Sequence, residues 1–133
     1  MTTAWTTSPL SCGVTDWQGC QRGEVWQVQF NPSLRSEGKD EHPAVILSID
    51  QLNRSRMPLT TIIPFTSAVP RYEGMLNVRV EPDASNGLTK ISWAQPHMIR
   101  AVNRELRLVR RRGALAEADF ARIQEAVRDV LGL

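Results

Sequence analysis

Hydrophobic and polar positions first fall into step at Val25, where Trp26, Val28 and Phe30 alternate with Val25, Gln27 and Gln29, leaving one face wholly aromatic or aliphatic. A period of two predicts a first strand, closed by Asn31-Pro32. Residues 33–41 are polar, mixed in charge and without an apolar stripe, and read as a long loop of the kind that more often serves function. The run Pro43-Ala44-Val45-Ile46-Leu47-Ser48-Ile49 is continuously apolar and rich in β-branched residues, which predicts a central strand. Pro43 would stand at its start, where a missing donor does little harm. Asp50–Pro58 is polar and predicts a second loop, and Thr60–Thr66 a third strand whose Pro64 suggests an edge or a bulge. Leu76–Glu81 alternates as a half-exposed fourth strand, Pro82–Gly87 is turn chemistry, and Lys90–Ala94 makes a fifth strand.

Beyond Pro96, the segment His97–Val102 predicts a short turn of helix or 3₁₀. Arg104–Arg110, with Leu106 and Leu108 on one face, is a candidate sixth strand ended by Gly113. Phe120, Ile123, Val127, Val130 and Leu131 then recur at helical spacing, with Glu117 and Asp119 suited to the helix dipole and Gly132 a natural terminator. Ala116 is a poor N-cap, costing roughly 1 kcal/mol against Ser or Asp. Short strands with short connections, followed by one amphipathic helix, predict an α+β domain. A small, strongly twisted antiparallel barrel with the helix on one side buries both faces.

A chain of 133 residues fits one such domain. No run approaches the roughly 18 apolar residues of a membrane span. The first twenty residues are polar and lack Lys and Arg, so residues 1–20 read as a poorly ordered extension and 21–133 as the folded domain of a cytoplasmic protein. Cys12 and Cys20 lack metal-site spacing and lie too close together to staple a core, so they read as free thiols. The net charge of +2 says little, but Arg100, Arg104, Arg107, Arg110, Arg111 and Arg112 face a single acid, Glu105, within one segment. That local positive field suits a polyanion or an acidic partner. No phosphate-binding glycine loop, cysteine–histidine metal cluster or nucleophile elbow is present.

Several blocks stand in a fixed order: Arg22-Gly23-Glu24-Val25-Trp26 with Asn31-Pro32, then Ser36-Glu37, Pro43–Ser48 and Asp50–Ser55. Pro64-Phe65-Thr66-Ser67, Gly87-Leu88, Ser92-Trp93, Ile99–Val102 and Gly113-Ala114-Leu115 with the following helix complete the series. Together, from about Arg22 to Leu133, these blocks resemble the MazF/PemK toxins. The resemblance implies an SH3-like barrel of the CcdB/PemK/MazF type, usually a homodimer, that cuts single-stranded RNA at short motifs without ribosome, metal or cofactor. It also implies a cognate MazE-like antitoxin whose acidic tail occupies the RNA groove.

Metal-free cleavage uses the ribose 2′-hydroxyl as nucleophile and needs a base, an acid and donors to the phosphorane. In the family an Arg before the Pro of the second strand and a Thr ending the third carry this work. Here the Thr is Thr66, but the Arg position holds His42. Arg is a clamp and a poor proton shuttle, whereas imidazole is the natural acid–base group at neutral pH. His42 and Thr66 are therefore the candidate catalytic residues, and Lys39, Arg54, Ser67 and Arg100 the candidate RNA contacts. His97 could pair with His42 if the fold brings them together, and Met98 stands where the family commonly has a polar residue. Two other readings stay open: a gyrase inhibitor of the CcdB type on the same barrel, and a binding module without efficient cleavage.

Overall fold

The computed structural model of the chain describes residues 19–30 and 41–133. Seven strands follow one another as β1 (Glu24–Gln29), β2 (Glu41–Ile46), β3 (Leu59–Thr66), β4 (Val78–Val80), β5 (Ser92–Ala94), β6 (Arg100–Asn103) and β7 (Leu108–Ala114). They form one antiparallel sheet in the order β4-β5-β3-β2-β1-β7, with β6 added to β3. Among the described residues three α-helices accompany the strands: α1 (Asp50–Asn53), α2 (Arg104–Arg107) and the long α3 (Glu117–Leu131). This is the twisted antiparallel α+β arrangement expected from the strand pattern.

The sheet is buried on both faces, which is why β2 reads as a continuous apolar run. One core joins Val25, Val45, Ile63, Phe65, Val78 and Val80 to Ile123, Ala126 and Val127 of α3. The other joins Trp26, Val28, Ala44, Ile46, Ile62 and Val102 to Cys20 and Leu108. Each fully buried Val or Ile contributes roughly 1.5–3 kcal/mol. Ala116 provides no side-chain cap to α3, as expected, and Gly132 ends it in the left-handed conformation at φ 73°.

Pro64 is neither at an edge nor in an edge strand. β3 pairs with β2 along one side, while on the other it pairs with β6 over Leu59–Ile62 and with β5 over Phe65–Thr66. Pro64 falls where one partner gives way to the next, so its missing N–H breaks no ladder bond, and its carbonyl accepts from Gln95 N at 3.0 Å. Pro43 likewise sits third in β2, not first.

Three other segments depart from the pattern reading. Within Asp50–Pro58 the chain makes α1, because buried Asn53 ties the turn together. Its Oδ1 accepts from Ser48 Oγ and Thr60 Oγ1, both at 2.7 Å, while its Nδ2 donates to Ser48 O at 2.9 Å. His97–Val102 yields only a 3₁₀ turn at Pro96–Met98 before β6 begins. The expected strand at Arg104–Arg110 starts as α2, capped by Asn103 Oδ1 accepting from Leu106 N at 3.0 Å, and β7 runs on through Gly113. Gly113 is a point of close approach and not a strand end. A Cβ there would stand 2.2 Å from Ser85 O, and one on Gly87 would stand 2.1 Å from Arg112 O. The turn after β4 thus lies directly on β7, helped by Ala114 N donating to Ser85 O at 2.9 Å.

Cys20 is a free thiol, as expected, but it is fully buried within the second core and not part of a loose extension; Cys12 and residues 1–18 lie outside the described residues. Burial pushes its pKa to about 11, against the smaller opposing pull of Arg104. A thiol raised in the folded state keeps its proton when the unfolded chain loses it. Its contribution is complete below the unfolded pKa of about 9 and is lost as pH rises toward 11. Denaturant unfolding should show stability falling by roughly 2–3 kcal/mol across that window from this group. Cys20→Ala should remove that part of the slope; an unchanged slope would show that the thiol does not carry it.

Candidate active site

The second core does not run the full length of its face. The register pairs Trp26 with Ala44 and Val28 with His42 across β1 and β2, Ala44 with Pro64 across β2 and β3, and Ile62 with Arg100 across β3 and β6. With side chains alternating, Phe30, His42, Thr66 and Arg100 extend the same face that carries Trp26, Ala44, Ile62 and Val102. Two further residues of the Ala44–Pro64 register bring His42 level with Thr66. At this end the apolar layer stops, and a cavity of about 260 Å³ opens, lined by Phe30, His42, Pro64, Phe65, Thr66, Gln95, Met98 and Arg100.

The polar groups around it are positioned from several strands. Thr66 Oγ1 accepts from Ala68 N at 3.2 Å, which anchors the oxygen in a local turn and leaves the hydroxyl proton to be donated elsewhere. The guanidinium carbon of Arg100 lies 5.4 Å from the centroid of the Phe30 ring. The His42 ring stands 5.8 Å from Phe30, tilted by 47°. His42 and Arg100 are both exposed, while Thr66 is half-buried. An imidazole, a hydroxyl donor and a permanent cation around one opening can move a proton and hold a phosphate together. Among the described residues no group of three or more His, Cys, Asp or Glu side chains is placed to hold a metal ion.

The expected site residues therefore separate. His42, Thr66 and Arg100 meet at the cavity, and Ser67 follows Thr66 on the exposed surface. Arg54 caps the C-terminus of α1, beyond the other end of β2, and does not line the cavity. Lys39 lies outside the described residues. His97 is exposed on the 3₁₀ turn and is absent from the lining, where Met98 stands instead, so the two histidines make no pair there. Phe30 and Gln95 complete the lining without having been singled out as site residues. The alternation in β1 already placed Phe30 beside Trp26 and Val28, but only the strand order sets it against His42 and Arg100.

The basic segment is not one continuous field. Arg104 is 4% exposed, and its guanidinium donates to Leu59 O at 2.8 Å, Ser55 O at 2.9 Å and Leu52 O at 3.2 Å. Its pKa is lowered by burial. Arg111 bonds the buried Glu24 at 2.8 Å, a carboxylate that also accepts from Trp26 Nε1 at 2.9 Å. Arg112 donates to Gln27 Oε1 at 2.9 Å and is lowered by burial and then by Arg110. Trp26 and Trp93 are both core residues, the latter donating from Nε1 to Glu73 Oε2 at 2.9 Å.

The same architecture recurs in known proteins, some of them similar in sequence. The family profile described as PemK-like, MazF-like toxin of type II toxin–antitoxin system matches residues 21–131. An endoribonuclease, MazF9 of Mycobacterium tuberculosis, is 31% identical over 115 residues, covering 81% of this chain and 92% of the relative. The crystal structure of MazF from Deinococcus radiodurans superposes with a TM-score of 0.69 at 19% identity, over 86% of this chain and 97% of its own. A mycobacterial endoribonuclease in complex with its cognate antitoxin gives 0.66 at 21% identity, over 86% and 97%. With a matched profile over most of its length and a relative above 30% identity, the chain belongs to the PemK-like, MazF-like toxins of type II toxin–antitoxin systems.

Proposed function

We propose that this toxin is a sequence-specific, ribosome-independent endoribonuclease that cuts single-stranded RNA in the cytoplasm by attack of the ribose 2′-hydroxyl. The observation that carries this reading is the meeting of His42, Thr66 and Arg100 around one cavity. In the reaction the 2′-oxygen forms a bond to phosphorus and the bond from phosphorus to the 5′-oxygen breaks. His42 takes the 2′ proton as the new bond forms, and the departing 5′-oxygen takes a proton from solvent water. Arg100 balances the charge on the phosphorane, and Thr66 donates its hydroxyl to a non-bridging oxygen. The catalytic domain begins by Cys20, which is packed into the second core, and runs through the following residues to 133. The toxin pairs with a second copy and is silenced by a cognate antitoxin whose acidic tail competes for the same basic opening.

The test is incubation of purified protein with a long single-stranded RNA in EDTA, followed by analysis of the product ends. Cuts at a short motif with 2′,3′-cyclic phosphate or 3′-phosphate and 5′-hydroxyl ends are expected. A 2′-deoxy substitution at the cut site should abolish them. Absence of cleavage at every salt concentration, together with inhibition of DNA supercoiling, would overturn the nuclease reading in favour of a gyrase inhibitor.

A further inference from the structure

Phe30 has no reactive group, yet it touches both charged-or-titratable members of the cavity. Its ring is half-buried and rests on the second core beside Trp26 and Val28, so its body is held from below. One side of that ring meets the Arg100 guanidinium at 5.4 Å from the centroid, and the His42 ring stands 5.8 Å away at a tilt of 47°. Both of these side chains are exposed and would otherwise be free to sample several rotamers over open solvent. An aromatic face attracts a guanidinium by its quadrupole, and a tilted pair of rings is a favoured arrangement.

We infer that Phe30 is the positioning residue of this site: its core-anchored ring holds the Arg100 guanidinium and the His42 imidazole in register over the cavity before substrate arrives. The inference rests on the nuclease reading above and adds a residue to it that touches neither the scissile phosphate nor the 2′-hydroxyl. The ordering cost of Arg100 and His42 is met on folding, so it is not subtracted from the barrier of each turnover. Phe30 thereby acts on kcat through its two neighbours. A stacking platform for a base would act chiefly on substrate binding.

The experiment compares Phe30→Leu, Phe30→Tyr, Arg100→Ala and the Phe30→Leu/Arg100→Ala double variant. It reads kcat and KM on a short RNA, thermal unfolding, and the NMR shifts of the Arg100 δ-protons. Phe30→Leu keeps apolar volume on the core and is expected to lower kcat roughly threefold to thirtyfold with KM changed less than about twofold. Phe30→Tyr restores the face and should return kcat to within about twofold of wild type. The double variant should be no slower than Arg100→Ala alone, because the ring works through the arginine. The Arg100 δ-protons, shifted upfield by the ring in wild type, should relax to ordinary positions in Phe30→Leu and stay shifted in Phe30→Tyr. A Phe30→Leu enzyme with unchanged kcat, a loss confined to KM, or a loss that multiplies in full with that of Arg100→Ala would each overturn the inference. If wild type cuts no RNA, the nuclease reading falls by itself. The δ-proton shift then decides whether the ring holds Arg100: shifted protons uphold the arrangement and unshifted ones reject it.

Discussion

His42→Ala is expected to slow RNA cleavage by about 10²- to 10⁴-fold, the range over which a positioned acid–base group contributes. The loss should fall on kcat, because an exposed imidazole at the cavity edge adds little to the binding of a polyanion that many cations attract. Thr66→Val keeps the shape and β-branching of the strand residue but removes the donor, and should cost roughly 10²- to 10³-fold in kcat. Neither change touches a core layer, so the thermal unfolding midpoint should stay within a few degrees of wild type. His42→Arg tests the chemistry from the other side. Guanidinium is a clamp and a poor proton shuttle, so the variant should keep phosphate binding but lose most of the cleavage rate. Single-turnover cleavage of a defined oligonucleotide across pH 5–9 measures all three. A His42→Ala enzyme that cuts at the wild-type rate would remove His42 from the proton path and leave Arg100 as the next group to test.

Arg104→Met is expected to be the most destabilising single substitution outside the apolar core, by about 3–5 kcal/mol. Its charged head sits among the carbonyls of Leu52, Ser55 and Leu59, which come from α1, the turn after it and the start of β3. A methionine fills much of the volume but donates nothing, so these partly buried carbonyls lose a charge-assisted donor. Lysine is no remedy, since a single ammonium cannot reproduce the planar spread of the guanidinium. Urea unfolding should show the midpoint falling with the slope unchanged, and calorimetry a drop of roughly 10 °C or more. The exposed Arg110, mutated to Met, should change stability by less than about 0.5 kcal/mol. Equal losses for the two arginines would show that the buried guanidinium contributes no more than a surface one.

These two outcomes separate residues that look alike in the primary structure. Arg100, Arg104, Arg110, Arg111 and Arg112 form one basic run along the chain, yet one faces the cavity, one is buried on carbonyls, two are bonded to β1, and Arg110 is exposed. Spacing cannot make that division, because each side chain's fate depends on which strand lies beside it. The same holds for the residues of α1. Asn53 and Asp50 belong to a matched block, but their contacts, including Arg22 N donating to Asp50 Oδ1 at 2.7 Å, brace the turn between β2 and β3. They therefore hold the scaffold at the end of β2 away from His42.

Local pattern determined most of the secondary structure, because strands and an amphipathic helix write their periods directly into the order of side chains. It located the five N-terminal strands within a few residues and the C-terminal helix with its Gly132 stop. The ordered blocks carried the family, with Thr66 and the His42 departure visible within them. Pattern failed where the determining contact was distant. Asn103 turned a promising strand into α2 through its own side-chain cap, and Gly113 proved to be a crossing point with Ser85, not an end. In the sequence Pro64 suggests an edge or a bulge, because the exchange of β6 for β5 along β3 is invisible in one dimension. The candidate active site shows the same division. His42 and Thr66 could be named from their blocks, but their meeting with Arg100 and Phe30 depends on the pairing of β1, β2, β3 and β6 in one register. Side chains distant along the chain share a face only when hydrogen-bonded strands set their alternation in phase, and that phase exists only in the folded sheet.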